Sequence, residues 1–183
     1  FSANGRKALI YTNTKRVWRY DTKGDYWLLD LDKNTFTQLG KGRPTSSLMF
    51  AKFSPDASKV AYTSEHNVYV EDLATNKITQ LTKDGTNRVI NGTFDWVYEE
   101  EFSFTRAFDW SPDGNSIAFL RFDESRVPEF IMPMYEDGSH PRYETFKYPK
   151  VGDTNASVSL KIYDCKKAKT IDAKEISSDH AAP

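Results

Sequence analysis

The stretch Phe53-Ser54-Pro55-Asp56-Ala57-Ser58-Lys59-Val60-Ala61-Tyr62 opens on an aromatic residue, turns through Pro-Asp and runs into an apolar strand. It has two counterparts. Trp110-Ser111-Pro112-Asp113-Gly114-Asn115-Ser116-Ile117-Ala118-Phe119 repeats it closely, and Phe1-Ser2-Ala3-Asn4-Gly5-Arg6-Lys7-Ala8-Leu9-Ile10-Tyr11 more loosely. Proline presets φ for such a turn, and Asp or Gly tolerates its remaining conformations, so each copy predicts a β-hairpin.

A second motif follows each hairpin. Asp25-Tyr26-Trp27-Leu28-Leu29-Asp30-Leu31 leads to Thr35-Phe36-Thr37-Gln38-Leu39, and Asn67-Val68-Tyr69-Val70-Glu71-Asp72-Leu73 leads to Lys77-Ile78-Thr79-Gln80-Leu81. Ser159-Leu160-Lys161-Ile162-Tyr163-Asp164, ending near Thr170-Ile171, is a weaker copy. Asp32-Lys33-Asn34 and Thr75-Asn76 between the paired strands are tight-turn residues. Four short antiparallel strands per repeating unit is the pattern of a β-propeller blade. The predicted fold is therefore all-β, a partial propeller of about three blades. In the cleanest blade the strands are expected at 48–53, 59–63, 67–72 and 77–81. The expected division is an incomplete blade over 1–44, a blade over 45–83, and a blade over 104–175 interrupted by an insertion at 122–157. Three blades cannot close a ring of roughly four to eight. The chain is thus expected to be a fragment, 1–183, of a longer propeller.

Composition narrows the function. Lys and Arg number 25 against 26 acids, for a net charge of −1. No global basic field attracts nucleic acid, so no nucleic-acid partner is expected. No apolar run approaches the ~20 residues that span a bilayer as a helix. Aromatic residues reach 14%, which suits pleated surfaces. Cys165 stands alone and His66, His140 and His180 are scattered, so neither disulfide nor metal site is expected, and no cofactor.

One segment departs from the repeat. Asn91-Gly92-Thr93-Phe94-Asp95-Trp96-Val97-Tyr98-Glu99-Glu100-Glu101-Phe102 sets three consecutive carboxylates among aromatics. On a strand, neighbours point to opposite faces. On a short helix they lie about 100° apart and can converge on one small cation. A helical excursion over 91–103 is predicted, capped by Asp95 or Thr93. An ammonium group, with three donors and one charge, suits paired carboxylates. At ~4 Å and an effective dielectric of ~20, each pair gains about 4 kcal/mol before desolvation. The ordinary reading of such a run is a solvated face.

Asp95-Trp96-Val97-Tyr98-Glu99-Glu100-Glu101 resembles the dipeptidyl peptidase IV family of prolyl-oligopeptidase-type serine peptidases. The resemblance extends through Trp110-Ser111-Pro112-Asp113-Gly114, Val127-Pro128, Tyr148-Pro149-Lys150-Val151-Gly152, Asn155 and Val158 to Asp164. Upstream it includes Val17-Trp18-Arg19-Tyr20 and Tyr26-Trp27-Leu28-Leu29-Asp30-Leu31. It covers most of the chain, which looks more like bacterial, Bacteroidetes-like members. The resemblance implies an eight-bladed N-terminal propeller followed by a C-terminal α/β-hydrolase domain. It implies release of Xaa-Pro or Xaa-Ala dipeptides from free peptide N-termini, in the periplasm, outside the cell or at its surface. Glu100 and Glu101 would hold the substrate's α-ammonium, and Arg19 would hold a substrate carbonyl or orient a glutamate. Without the resemblance, Arg19 reads as a surface arginine packed on Trp18. Glu99 is expected to serve structure, as a capping or salt-bridge group.

The chain departs from the complete family pattern. It contains no Gly-x-Ser-x-Gly elbow, and Ser54 and Ser111 belong to hairpin turns, so the chain alone is expected to hydrolyse nothing. The stretch between Glu101 and Trp110 is one residue shorter than in mammalian members. The expected partners are a peptide with a free N-terminus and the chain's own hydrolase domain. The insertion at 122–157 reads as an arm for contact in a homodimer or as a long blade loop with a turn at Asp137-Gly138. The tail 177–183 reads as an extended connection. Asn91-Gly92-Thr93 and Asn155-Ala156-Ser157 match a glycosylation sequon that arises often by chance. Two rivals remain. A non-enzymatic propeller scaffold shares the hairpins, and only sequence downstream discriminates it. An oligopeptidase or acylaminoacyl peptidase has no use for Glu100 and Glu101, because its substrates present no ammonium.

Overall fold

Three hairpins of one design frame the structure, a computed structural model that describes residues 1–135, 138 and 140–173. In each, a serine hydroxyl donates to the side chain two residues on and accepts the N–H five residues on. Ser54 pairs with Asp56 (2.7 Å) and Lys59 (2.9 Å), Ser111 with Asp113 (2.6 Å) and Ser116 (2.9 Å), and Ser2 with Asn4 (2.8 Å) and Lys7 (2.9 Å). The next residue has positive φ: Gly5, Ala57 and Gly114. A second device also recurs. Asp30, Asp72 and Asp164 end a strand, and each Oδ1 accepts two N–H groups of the following turn. Asn34, Asn76 and Ala168, four residues further, all have positive φ.

These turns set the strands. β1 (Lys7–Lys15), β2 (Lys23–Asp30) and β3 (Thr35–Gln38) form an antiparallel unit in that order. β4 (Leu48–Phe53), β5 (Lys59–Ser64), β6 (Asn67–Asp72) and β7 (Ile78–Gln80) form the next, joined to β2 by the single pair Gly24–Leu48. The strands expected at 48–53 and 67–72 coincide with β4 and β6, and β5 and β7 differ only at their ends.

The third unit contains a break. β8 (Val89–Asn91) and β9 (Phe108–Trp110) both pair with the same side of β10 (Ser116–Asp123), β8 near its end and β9 near its start. Together they are one strand position cut in two by residues 92–107. β13 (Ser157–Asp164) and β14 (Lys169–Asp172) complete this sheet. Between β10 and β13, the insertion forms a two-stranded ribbon, β11 (Glu129–Met134) and β12 (Arg142–Lys147). The tail 177–183 and Asp137 of the expected turn lie outside the described residues.

The core lies between the units. Val60, Tyr62 and Tyr69 pack with Leu28, Leu39 and Leu48 on one side of the β4–β7 sheet. Ala61, Val68 and Val70 pack on its other side with Phe108, Trp110, Ile117 and Phe119. Alternation along β5 and β6 thus sends neighbouring side chains to two different cores. That is why Val60 through Ser64 are all buried, although only alternate residues share a face.

Candidate functional site

Residues 92–107 leave the sheet and return to it at one point. Gly92 N–H donates to Leu120 O (3.0 Å), Ala107 N–H to Gly92 O (3.1 Å) and Leu120 N–H to Ala107 O (2.9 Å). Gly92 has φ +76°, and a Cβ there would sit 2.7 Å from Val68 Cγ2 and 2.8 Å from Thr63 Cγ2. Only glycine fits this neck without displacement. Asn91 beside it is fully buried, so the first sequon presents no glycan acceptor in the folded chain.

The excursion carries one helical turn, α1 (Trp96–Glu100). Asp95 is the N-cap, its Oδ1 accepting from Tyr98 N–H at 2.9 Å. An aromatic group fastens the turn to the sheet: Tyr98 and Phe94 meet fully buried Phe122 of β10 at ring distances of 5.2 and 5.7 Å. On another side, Phe146 of β12 lies between Trp96 (5.8 Å) and Trp18 (5.4 Å). The ribbon, the helix and the loop between β1 and β2 are thereby packed together.

That loop delivers Arg19 to the helix. Arg19 N–H donates to Glu100 Oε1 at 3.0 Å, and its Nε donates to Glu100 Oε2 at 3.1 Å, with Nη2 also 3.1 Å from Oε2. The Arg19 side chain is 62% exposed and the Glu100 side chain 11%. Glu101, the C-cap, is exposed and forms no ion pair among the described residues. The structure therefore joins two of the three expected site residues and leaves the third beside them on the same turn. Arg19, Glu100 and Glu101 together carry one net negative charge, which matches a single ammonium.

Glu99 differs from the sequence expectation. Asp95 does the capping, and Glu99 forms no salt bridge among the described residues. Its side chain is 2% exposed, and Oε1 has no hydrogen-bond partner. Burial, with the nearby charge of Glu100, pushes its carboxyl up to about 7. Glu124, which the sequence reading missed, is buried close by and is likewise pushed up to about 7, by burial and then by Asp95. Burial also raises Asp95. All three line a cavity of about 350 Å³ beneath the helix.

Antiparallel blade-like sheets with an acidic turn displaced from one edge strand define the class of protein. A family model described as the dipeptidyl peptidase IV (DPP IV) N-terminal region matches residues 2–182, and the chain belongs to that family. It is 39% identical over 171 residues to a probable dipeptidyl-aminopeptidase B of Podospora anserina, covering 87% of this chain and 18% of the relative. It is 37% identical over 166 residues to dipeptidyl aminopeptidase B of Saccharomyces cerevisiae, covering 88% and 20%. The crystal structure of Porphyromonas gingivalis dipeptidyl peptidase 4 superposes with a TM-score of 0.87 at 37% identity, over 94% of this chain and 24% of that one. The chain spans about a fifth of the length of these curated relatives.

Proposed function

We propose that the chain is the substrate-gating and N-terminus-recognising part of the propeller of a serine dipeptidyl peptidase that releases Xaa-Pro and Xaa-Ala dipeptides. The observation that carries this reading is the three-contact hold of Arg19 on Glu100, with exposed Glu101 adjoining it. A carboxylate offers about four lone-pair sites, so Glu100 can serve Arg19 and an ammonium together. Arg19 fixes the carboxylate in advance, which lowers the ordering cost of binding. An anionic stop at a set distance from the scissile bond turns a peptidase into a dipeptide-removing enzyme. The serine nucleophile belongs to the hydrolase domain of the parent enzyme, and this chain contributes binding only.

The same reading proposes a bacterial parent in the periplasm, at the cell surface or outside the cell, and a β11–β12 ribbon that serves either as an arm for homodimer contact or as a long blade loop; cell fractionation tests the location and sedimentation the dimer. The central test uses a glycyl-prolyl reporter. Turnover in the parent is expected to fall by about a hundredfold or more when Glu100 and Glu101 are both replaced by alanine, in keeping with loss of charge-assisted contacts of ~1.5–3 kcal/mol each. Unchanged turnover, or turnover by the isolated chain, contradicts the assignment.

A further inference from the structure

We propose that the cavity beneath α1 is a second cation site that takes a primary organic ammonium, with Glu99 as its acceptor. It is separate from the pair proposed to hold the peptide N-terminus, because none of Arg19, Glu100 and Glu101 lines it. At about 350 Å³ it lies at the small end of the range for ligand pockets.

Three features set the guest's chemistry. The first is the charge of the walls. Glu129 is paired with Lys147 (3.1 Å) and Glu65 with Arg43 (3.8 Å). Asp95, Glu99 and Glu124 face the cavity without an ion pair among the described residues, opposed there by Lys23, by the already paired Lys147 and by His66. Above about pH 7, where Glu99 and Glu124 ionise, the uncompensated charge is negative, and the cavity favours a cation. The second is the orphaned Oε1 of Glu99, buried and unpartnered. A buried acceptor without a donor is unfavourable, and a guest bearing N–H relieves it. The third is aromatic. Trp18, Trp96 and Phe146, from three separate elements, form one wall, and ring faces attract cations. Among the described residues no three His, Cys, Asp or Glu side chains are arranged to hold a metal ion. A cation that brings its own donors and an apolar body suits these walls better than a bare ion.

The test titrates the chain at pH 7.5 with n-butylammonium, tetramethylammonium and 1-butanol, followed by amide shifts and by the fluorescence of its tryptophans. Butylammonium is expected to bind saturably, and at least about tenfold more tightly than either control, since one lacks N–H and the other charge. Glu99→Gln should weaken butylammonium about tenfold, and so should Glu124→Gln, which covers a failure of the first variant to fold. The proposal is overturned by no saturable binding, by equal response to all three probes, or by unaltered binding in both variants. Loss of the response in Glu101→Gln with retention in Glu99→Gln also overturns it, because the ammonium then sits on the outer pair, a result that leaves the proposed function intact.

Discussion

The β4–β7 unit and the excursion at 92–107 are neighbours built on opposite plans. In the blade, each buried side chain has a place fixed by alternation, and its polar groups are absorbed by repeated turns. In the excursion, a single helical turn holds one carboxyl against Arg19, one buried without a partner and one in solvent. The excursion thus concentrates differently placed carboxyl groups in a segment whose removal would leave β8 and β9 both pairing with β10. The blade supplies stability and the excursion spends some of it on a binding surface.

Substitutions can break this contrast. Phe119→Ala, deep between two sheets, is expected to cost about 3–5 kcal/mol in urea denaturation, whereas Phe102→Ala, on the excursion and 58% exposed, should cost under about 1 kcal/mol. Equal costs would mean that the excursion is part of the folding core. Gly92→Ala tests the neck between the two regions. A left-handed backbone and two methyl contacts inside 3 Å predict a loss of about 2–4 kcal/mol.

Acid–base behaviour separates the regions next. Glu99 and Glu124 stay protonated in the fold up to about 7, but in the unfolded chain they ionise near the ordinary glutamate value of 4.5. Folding therefore takes up protons between those values. Their contribution to stability is complete below about 4.5 and is lost as pH rises through about 7. The urea midpoint should fall over that window, and the double variant Glu99→Gln, Glu124→Gln should flatten the fall. In the blade, Asp56 has the opposite sign: bonds from Ser54 and Ser58 hold it down at about 2, so its contribution disappears only in strong acid.

Smaller effects refine the comparison. Asp95→Ala removes the N-terminal side-chain cap of α1 and is expected to cost about 1 kcal/mol. Ala57→Gly should stabilise the chain by about 0.5–1 kcal/mol, because Ala57 holds a positive φ where the two sister hairpins have glycine. Thermal denaturation resolves both.

The repeated region was legible because its signals are local. Ser-Pro-Asp turns, strand-ending aspartates and alternating apolar residues each state their structure within ten residues. The helical turn and its Asp95 cap were legible for the same reason. The divided strand was not, since β8 and β9 are three residues each and become one position only by sharing β10. The different fates of Glu99, Glu100 and Glu101 were also hidden. Three identical side chains in a row differ only through distant partners: Arg19 for one, and for another the cavity formed with Glu124 and the ribbon. Glu124 carries no sequence signal of its own, because its burial comes from chain that folds back over it.

One titration bears hardest on the proposed grip of Glu100 and Glu101. A short alanyl-prolyl peptide with a free N-terminus and the same peptide acetylated are added to the chain below pH 7.5, where the α-ammonium remains charged. The free peptide should bind at least about tenfold more tightly, with the advantage abolished by Glu101→Gln. Equal affinity of the two peptides, or an advantage that survives Glu101→Gln, contradicts it.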